Sequence, residues 1–286
     1  MDINLQALIM GIVQGLTEPL PISSSGHLLL VPYFFGWQTS ALGADGLAHA
    51  TFIASLEFSV ILHMGTLIAV LAYFWRDWAR LIPAGLAALR DRSFADSSDR
   101  KLAWLILVTL PPAALAGFFL NDFFEEAVRR PVLVALTLVI GAGILWLADR
   151  LGRQDREAED LGFLGAFGVG CAQALALIPG ISRSGISISA GLTLGLTREA
   201  AARFSFLMSA PIIAGAGVFE LKKVVGGGGV PGLQVSALAV GFIASLVTGI
   251  AAIHVLLRFV RTHSLNVFVV YRLILAVIVV VFYFNA

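Results

Sequence analysis

A thirteen-residue segment that occurs twice, 159 positions apart, constrains this chain more than any other feature. Residues 14–26 read QGLTEPLPISSSG and residues 173–185 read QALALIPGISRSG; without a gap they share Gln14/Gln173, Leu16/Leu175, Ile22/Ile181, Ser23/Ser182, Ser25/Ser184 and Gly26/Gly185. A weaker echo follows in the same order, Glu57-Phe58-Ser59 against Arg203-Phe204-Ser205. Each copy places prolines and hydroxyls in apolar surroundings, where a helix must break and its freed backbone groups must be satisfied within the protein. Two such breaks in one chain point to one polar site built from both.

The surroundings are those of a membrane protein. Apolar residues are 58% of the 286 and charged ones 13%, with mean hydropathy +0.91, a balance that excludes an ordinary soluble domain. Uncharged runs at 102–120, 131–148 and 230–257 can each cross a hydrocarbon layer of roughly 30 Å, and further spans are expected at 51–75, 199–221 and 264–284. The expected fold class is therefore an all-α polytopic membrane protein, with about six full transmembrane helices plus two re-entrant helix-loop-helix hairpins. The whole chain, 1–286, reads as one integral membrane domain, with repeats near 1–150 and 161–286. No basic region precedes the first apolar residues, so the N-terminus reads as mature protein rather than a cleaved signal. Cys171 is the single cysteine, which leaves no internal disulfide and no redox pair, and a net charge of +1 argues against nucleic acid as a partner. The run Gly226 to Gly229 before Pro231 reads as a turn between spans, since no helix start follows it directly.

If each motif is a hairpin that enters and leaves on one face, and three full spans follow it, the second hairpin enters from the opposite side. The halves are then inverted repeats whose hairpin tips can meet near mid-membrane. Six Lys/Arg and four Asp at 76–101, Arg150, Arg153 and Arg156, Arg198, and Arg258 with Arg261 would all share one face, which the positive-inside bias assigns to the cytoplasm. The other face has Arg129 and Arg130, offset by Asp122, Glu125 and Glu126, plus Lys222 and Lys223; the first hairpin opens towards that outer side.

Within the first motif Gln14 and Glu18 are four apart, hence on one helical face just before the break at Pro19 and Pro21. Ser23, Ser24 and Ser25 stand where a new helix must start, and serines there cap free amides whose positive dipole end attracts anions. His27 falls in that helix's first turn. In the second motif Pro179-Gly180 ends one half-helix and Ser182-Arg183-Ser184-Gly185 opens the next. Arg183 lies between uncharged runs at 161–182 and 184–197, where an unpaired charge costs at least about 2.5 to 3.5 kcal/mol. Its partner is either Glu18, as a structural ion pair, or a ligand phosphate, which a guanidinium meets with two parallel donors. A buried Glu, His and Arg with several hydroxyls and two helix N-termini suit a diphosphate. His63 and His254 read as packed or interfacial, Glu57 and Arg203 as a structural pair across the pseudo-twofold, and Arg272 as either paired in the interior or lining the site.

With these residues in hand, the chain resembles the undecaprenyl-diphosphatase family of bacitracin-resistance membrane phosphatases over essentially its whole length. The resemblance rests on QGLTEPLPISSSGH at 14–27 and PGISRSG at 179–185, supported by Glu57, Ser205-Phe206-Leu207 before Pro211, and Tyr271-Arg272. It implies compact bundles with two re-entrant hairpins in interlocked inverted repeats. It also implies hydrolysis of undecaprenyl diphosphate to the monophosphate on the extracytoplasmic side of the bacterial cytoplasmic membrane, recycling the cell-wall lipid carrier. By motif position Glu18, Ser24, His27 and Arg183 are the implied catalytic set, with Gln14, Ser23, Ser25, Gly26, Ser182, Ser184 and Gly185 around the phosphates. The family needs a divalent cation, Mg2+ or Ca2+, for which Glu18 is the candidate ligand. Two positions depart from the common pattern: Gln14 stands where many members have Glu, so it cannot be an obligatory charged metal ligand, and Ser25 replaces a frequent Thr. Implied partners are undecaprenyl diphosphate and membrane lipid; bacitracin competes indirectly by sequestering the substrate, and a homodimer is an allowed assembly. A secondary transporter or lipid flippase shares the same broken-helix architecture and stays open as the alternative. The other class of membrane lipid phosphatase, marked by K-x6-R-P, S-G-H and S-R-x5-H, does not fit, because position 189 is Ser and Phe123 stands where its Lys would be. A prenyltransferase would need an Asp-Asp metal motif, which the chain lacks.

Overall fold

Prolines and serines divide the chain into helices of two lengths. In the computed structural model, which describes residues 1–37, 53, 55–127, 131–226 and 234–285, the regular elements are helical. The first motif lies between α1 (Ile3–Thr17) and α2 (Ser24–Phe34), and the second between α8 (Phe163–Ala174, prolonged by the 3-10 turn Leu175–Leu177) and α9 (Arg183–Thr193). At 11 to 15 residues these four helices are about 16 to 22 Å long, too short to cross a bilayer singly.

Three long segments follow each pair. After α2 come α3 (Leu56–Tyr73) with α4 (Trp75–Asp91), α5 (Ser98–Val108) with α6 (Leu110–Ala127), and α7 (Pro131–Leu151). After α9 come α10 (Arg198–Gly226), α11 (Val235–Val260) and α12 (Asn266–Asn285). Among the described residues five stretches are long and apolar enough to span: Ser98–Leu120, Pro131–Leu151, Arg198–Val218, Val235–Val260 and Asn266–Asn285. A sixth is reached if Phe58–Tyr73 and Trp75–Asp91, which meet at 82°, count as one bent span. The bend falls where the apolar run gives way to Arg76-Asp77. Beyond it α4 buries Leu81 and Ala88 while leaving Trp75, Ile82, Leu86 and Leu89 exposed on another face.

The two halves interlock. α1 packs on α11 and α8 packs on α6, so each motif's leading helix lies against the middle span of the opposite half; α7 and α12 pack on each other. Small residues permit the closest of these approaches: a Cβ added at Gly11 or Gly15 would run into Gly241 O or Thr248 Oγ1. The largest apolar core gathers Phe74, Leu105, Leu145, Leu192, Phe204 and Leu256 from several of these helices.

Ion pairs gather the segments expected to share one membrane face. Arg203 on α10 meets Asp77 on α4 at 3.2 Å, Arg198 meets Asp149 at the end of α7 at 2.5 Å, and Arg261 after α11 meets Glu199 at 2.6 Å. Arg203 thus has Asp77 as a partner; Glu57, the partner expected for it from the sequence, has a side chain outside the described residues.

Candidate active site

Glu18 is the C-cap of α1, where Pro19 and Pro21 stop the helix and leave its carboxylate at the tip. It is 7% exposed, and four side chains converge on it. Arg183, the first residue of α9, donates from Nη2 to Oε1 at 2.6 Å. On Oε2, Gln14 donates from Nε2 at 3.1 Å and Ser24, the first residue of α2, donates from Oγ. His63 Nε2 on α3 lies 3.6 Å from the same oxygen. The i, i+4 reading of Gln14 and Glu18 thus holds, and Arg183 has Glu18 as its partner.

The two breaks are built alike in backbone detail. Ser23 and Ser182 are the N-caps of α2 and α9, and both sit at positive φ, 74° and 75°, a region that side-chain-bearing residues enter at a cost of about 1 to 3 kcal/mol. Each hydroxyl accepts from the amide three residues on, Gly26 N at 3.3 Å and Gly185 N at 3.1 Å. Each also bonds the serine two residues on, Ser25 at 3.3 Å and Ser184 at 3.2 Å. The first break runs over residues 18–23, and the second helix already starts at Ser24.

Cross-links hold the breaks together. Ser184 Oγ donates to Leu20 O at 2.8 Å. Arg272 on α12, fully buried, donates from Nη2 to Gly180 O at 2.7 Å and Ile181 O at 2.9 Å, and from Nη1 to Pro21 O at the 3.5 Å limit. Pro21 and Gly180 are equivalent positions of the repeat, so one guanidinium spans matching carbonyls of both breaks. Gly180 takes φ +98°, and Thr137 of α7 caps the neighbouring Pro179 O at 2.5 Å.

His27 is buried next to this cluster with both ring nitrogens engaged. Nδ1 bonds Ser23 O at 2.7 Å and Nε2 bonds Tyr271 Oη at 2.7 Å, the two rings stacking at 5.7 Å. A carbonyl can only accept, so Nδ1 carries the proton and the neutral ring's Nε2 accepts from the tyrosine. The hydroxyl of Ser24 is turned to Glu18, so within the implied catalytic set it is the carboxylate that holds the serine.

His63, which the sequence reads as packed or interfacial, lies beside Glu18; an ionisable group inside an apolar span is the signal for it. His254 does bond at the periphery, to Tyr73 Oη at 3.2 Å. Tyr271 and Arg272 adjoin the site from the far end of the sequence, in a register that no local pattern specifies.

Fold and site together define a polytopic membrane protein in which two broken helical segments enclose a carboxylate, a guanidinium and a serine hydroxyl in direct contact. The chain belongs to the bacitracin resistance protein BacA family, whose family model matches residues 7–278. Among similar proteins are three named undecaprenyl-diphosphatase. That of Rubrobacter xylanophilus is 47% identical over 275 residues, and those of Desulforudis audaxviator and Moorella thermoacetica are each 44% identical over 276 and 277; in every case the alignment covers 96% of both chains.

Proposed function

We propose that this protein is an integral membrane phosphatase that hydrolyses undecaprenyl diphosphate to undecaprenyl phosphate and phosphate. Family membership with 44 to 47% identity to proteins of that name carries the substrate. The chemistry is carried by one observation: Glu18 binds Arg183 through one oxygen and the Ser24 hydroxyl through the other. A buried ion pair adds little net stability, because desolvation offsets its attraction. This pair makes better sense as a resting state in which a diphosphate takes the guanidinium and leaves the carboxylate free to act as base.

Ser24 Oγ then attacks the terminal phosphorus, its proton passes to Glu18 Oε2, and the bond to the bridging oxygen breaks with its electron pair on undecaprenyl phosphate. Arg183 and the helix N-termini of α2 and α9 offset charge on the transferring phosphoryl group and on the leaving oxygen. Water next attacks the phosphoserine, protonated Glu18 returns its proton to the departing Ser24 Oγ, and both hydrogens of the water leave with the released phosphate. His27, fixed by Ser23 O and Tyr271, keeps the capped turn in place and adds a polar wall to the site.

A divalent cation fits this donor set in one mode. Glu18 and the buried Gln14 Oε1, which has no hydrogen-bond partner among the described residues, are hard oxygen donors with one charge between them and would hold Mg2+ or Ca2+. When bound, the ion supplies positive charge against the diphosphate. Among the described residues no group of three or more His, Cys, Asp or Glu offers another site.

Placement follows the same reading. The two motifs are re-entrant hairpins of inverted repeats, supported by the matched caps and by the reciprocal packing of α1 on α11 and α8 on α6. The end bearing the Arg203–Asp77 and Arg198–Asp149 pairs faces the cytoplasm and the site opens outward, where bacitracin sequesters the same substrate.

The test is phosphate release from a long-chain prenyl diphosphate by purified protein, with and without EDTA, together with rapid quench. Wild type is expected to release phosphate, to lose activity in EDTA and regain it with Mg2+, and to yield a phosphoserine that Ser24→Ala abolishes. Near-normal turnover by Ser24→Ala, with no trapped intermediate, would overturn the serine route in favour of water activated by Glu18.

A further inference from the structure

α4 takes no part in the candidate site, and its surface is divided in a way that catalysis does not require. α3, at 18 residues, is about 27 Å long, close to the thickness of the hydrocarbon layer, and α4 leaves its end at 82°. A helix nearly perpendicular to a spanning one lies close to the membrane plane. We propose that α4 is an interfacial helix that binds an anionic phospholipid surface, its apolar stripe set against the acyl chains and its arginines against the phosphate headgroups.

Helical periodicity sorts α4 into distinct faces. Leu81 and Ala88 are buried, and on that side Trp104 of α5 donates from Nε1 to Gly85 O at 3.2 Å. Trp75, Ile82, Leu86 and Leu89 form an exposed apolar stripe, with Trp75 59% exposed. Arg76, Arg80 and Arg90 fall together on the face beside that stripe. The stripe continues one on α3, where Ile68 and Leu71 are exposed and Trp75 follows at a spacing of four. A lipid-facing surface thus runs down the span to the bend, and an indole stands there, an amphipathic ring suited to headgroup depth.

Charge selects the kind of lipid. Arg80 is held by Asp77 at 2.9 Å and Asp99 at 3.3 Å. Among the described residues no carboxylate pairs with Arg90, or with Arg76, which lies 5.3 Å from the centroid of the Trp75 ring. Two guanidiniums beside an exposed apolar stripe match acyl chains edged by phosphates, and each basic group at an anionic leaflet is drawn to it. Depth agrees with this placement. Arg76 and Arg90 are about 21 Å apart along the axis, so an upright α4 would leave one of them in hydrocarbon, whereas a flat one keeps both at the headgroups. The pair of Asp77 with Arg203 fixes the same end of α4 to α10. A second copy of the chain seated on the apolar stripe would leave the neighbouring arginines without a role.

The experiment places the full-length protein in equimolar phosphatidylcholine and phosphatidylglycerol bilayers, with one lipid or the other brominated near the carbonyl end of its acyl chains. Bromine quenches an indole on contact, and the difference between wild type and Trp75→Phe isolates the signal of Trp75. Trp75 is expected to be quenched by both lipids, and about threefold more strongly by brominated phosphatidylglycerol. About 0.5 M NaCl, or Arg76→Gln with Arg90→Gln, is expected to make the two lipids equal. Tm in detergent controls for folding of the variants, and the salt arm needs no arginine variant. Absence of quenching by either lipid overturns the proposal, as does a dimer, with Trp75 shielded, that Leu86→Ser dissociates. Equal quenching by the two lipids at low salt overturns it as well. So does a phosphatidylglycerol preference that persists in both high salt and the double variant. Phosphate release is not among these readouts, so the result stands or falls apart from the catalytic function.

Discussion

The two helix breaks share a backbone and differ in what they display. Ser23 and Ser182 adopt the same positive φ, cap the same relative amide and bond the same relative serine. Yet the residue after the cap is Ser24 in one and Arg183 in the other, Glu18 is matched by Leu177, and His27 by Ile186. The first break thus carries acid, base and hydroxyl, and the second carries the cation. A duplicated scaffold fixes two matching turns, and chemistry requires that their side chains be unlike: two acidic tips would repel a diphosphate, and two cationic tips would lack a base.

The largest expected effect comes from removing the second break's single distinctive group. Arg183→Ala should cost about 4 kcal/mol of transition-state stabilisation, roughly a thousandfold in kcat/KM, with Arg183→Lys retaining part of it. Near-wild-type phosphate release would show that the cationic tip is structural only. Next comes Arg272, which ties equivalent carbonyls of both breaks. Arg272→Met strands Gly180 O and Ile181 O and is expected to lower stability by about 3 kcal/mol, read as a drop in Tm in detergent; an unchanged Tm would mean the breaks hold together without it.

Ser184 and Ser25 sharpen the comparison at smaller scale. Ser184 bonds Leu20 O across the interface, whereas Ser25 is exposed and, among the described residues, its hydroxyl bonds only Ser23. Ser184→Ala should cost about 1 kcal/mol and Ser25→Ala less than half of that; equal losses would break the asymmetry. The smallest effect is expected at Gln173, the counterpart of Gln14. Gln14 bonds Glu18, but among the described residues the buried Gln173 amide has no partner on either atom, so Gln173→Leu should leave thermal stability unchanged or slightly raised. A marked loss would reveal a contact at Gln173 that matters to the fold.

The sequence by itself determined what depends on neighbours in the chain. Proline at 19, 21 and 179 had to stop helices, serine at 23 and 182 had to cap the next ones, and spacing of four had to put Gln14 under Glu18; all of this follows from local sterics and hydrogen-bond demand. The long apolar runs likewise had to become spans, though the sequence did not show that the one ending near 75 turns through 82°. It also offered Glu18 as one of two partners for Arg183, the other being a ligand phosphate, because an intramembrane charge needs an opposite one; the structure pairs the two side chains.

Only the tertiary structure decided which side chains from other helices arrive at that pair. From the sequence alone His63 reads as packed or interfacial and Arg272 as paired or lining the site, and nothing local points Arg203 to Asp77. Periodicity tells which face of a helix is buried, but the angle and axial register at which two helices meet are set by ridges, grooves and small residues such as Gly11 and Gly15 along the whole contact. A one-turn slide of about 5.4 Å would carry His63 away from Glu18 with the apolar pattern unchanged, which is why no local reading could place it there.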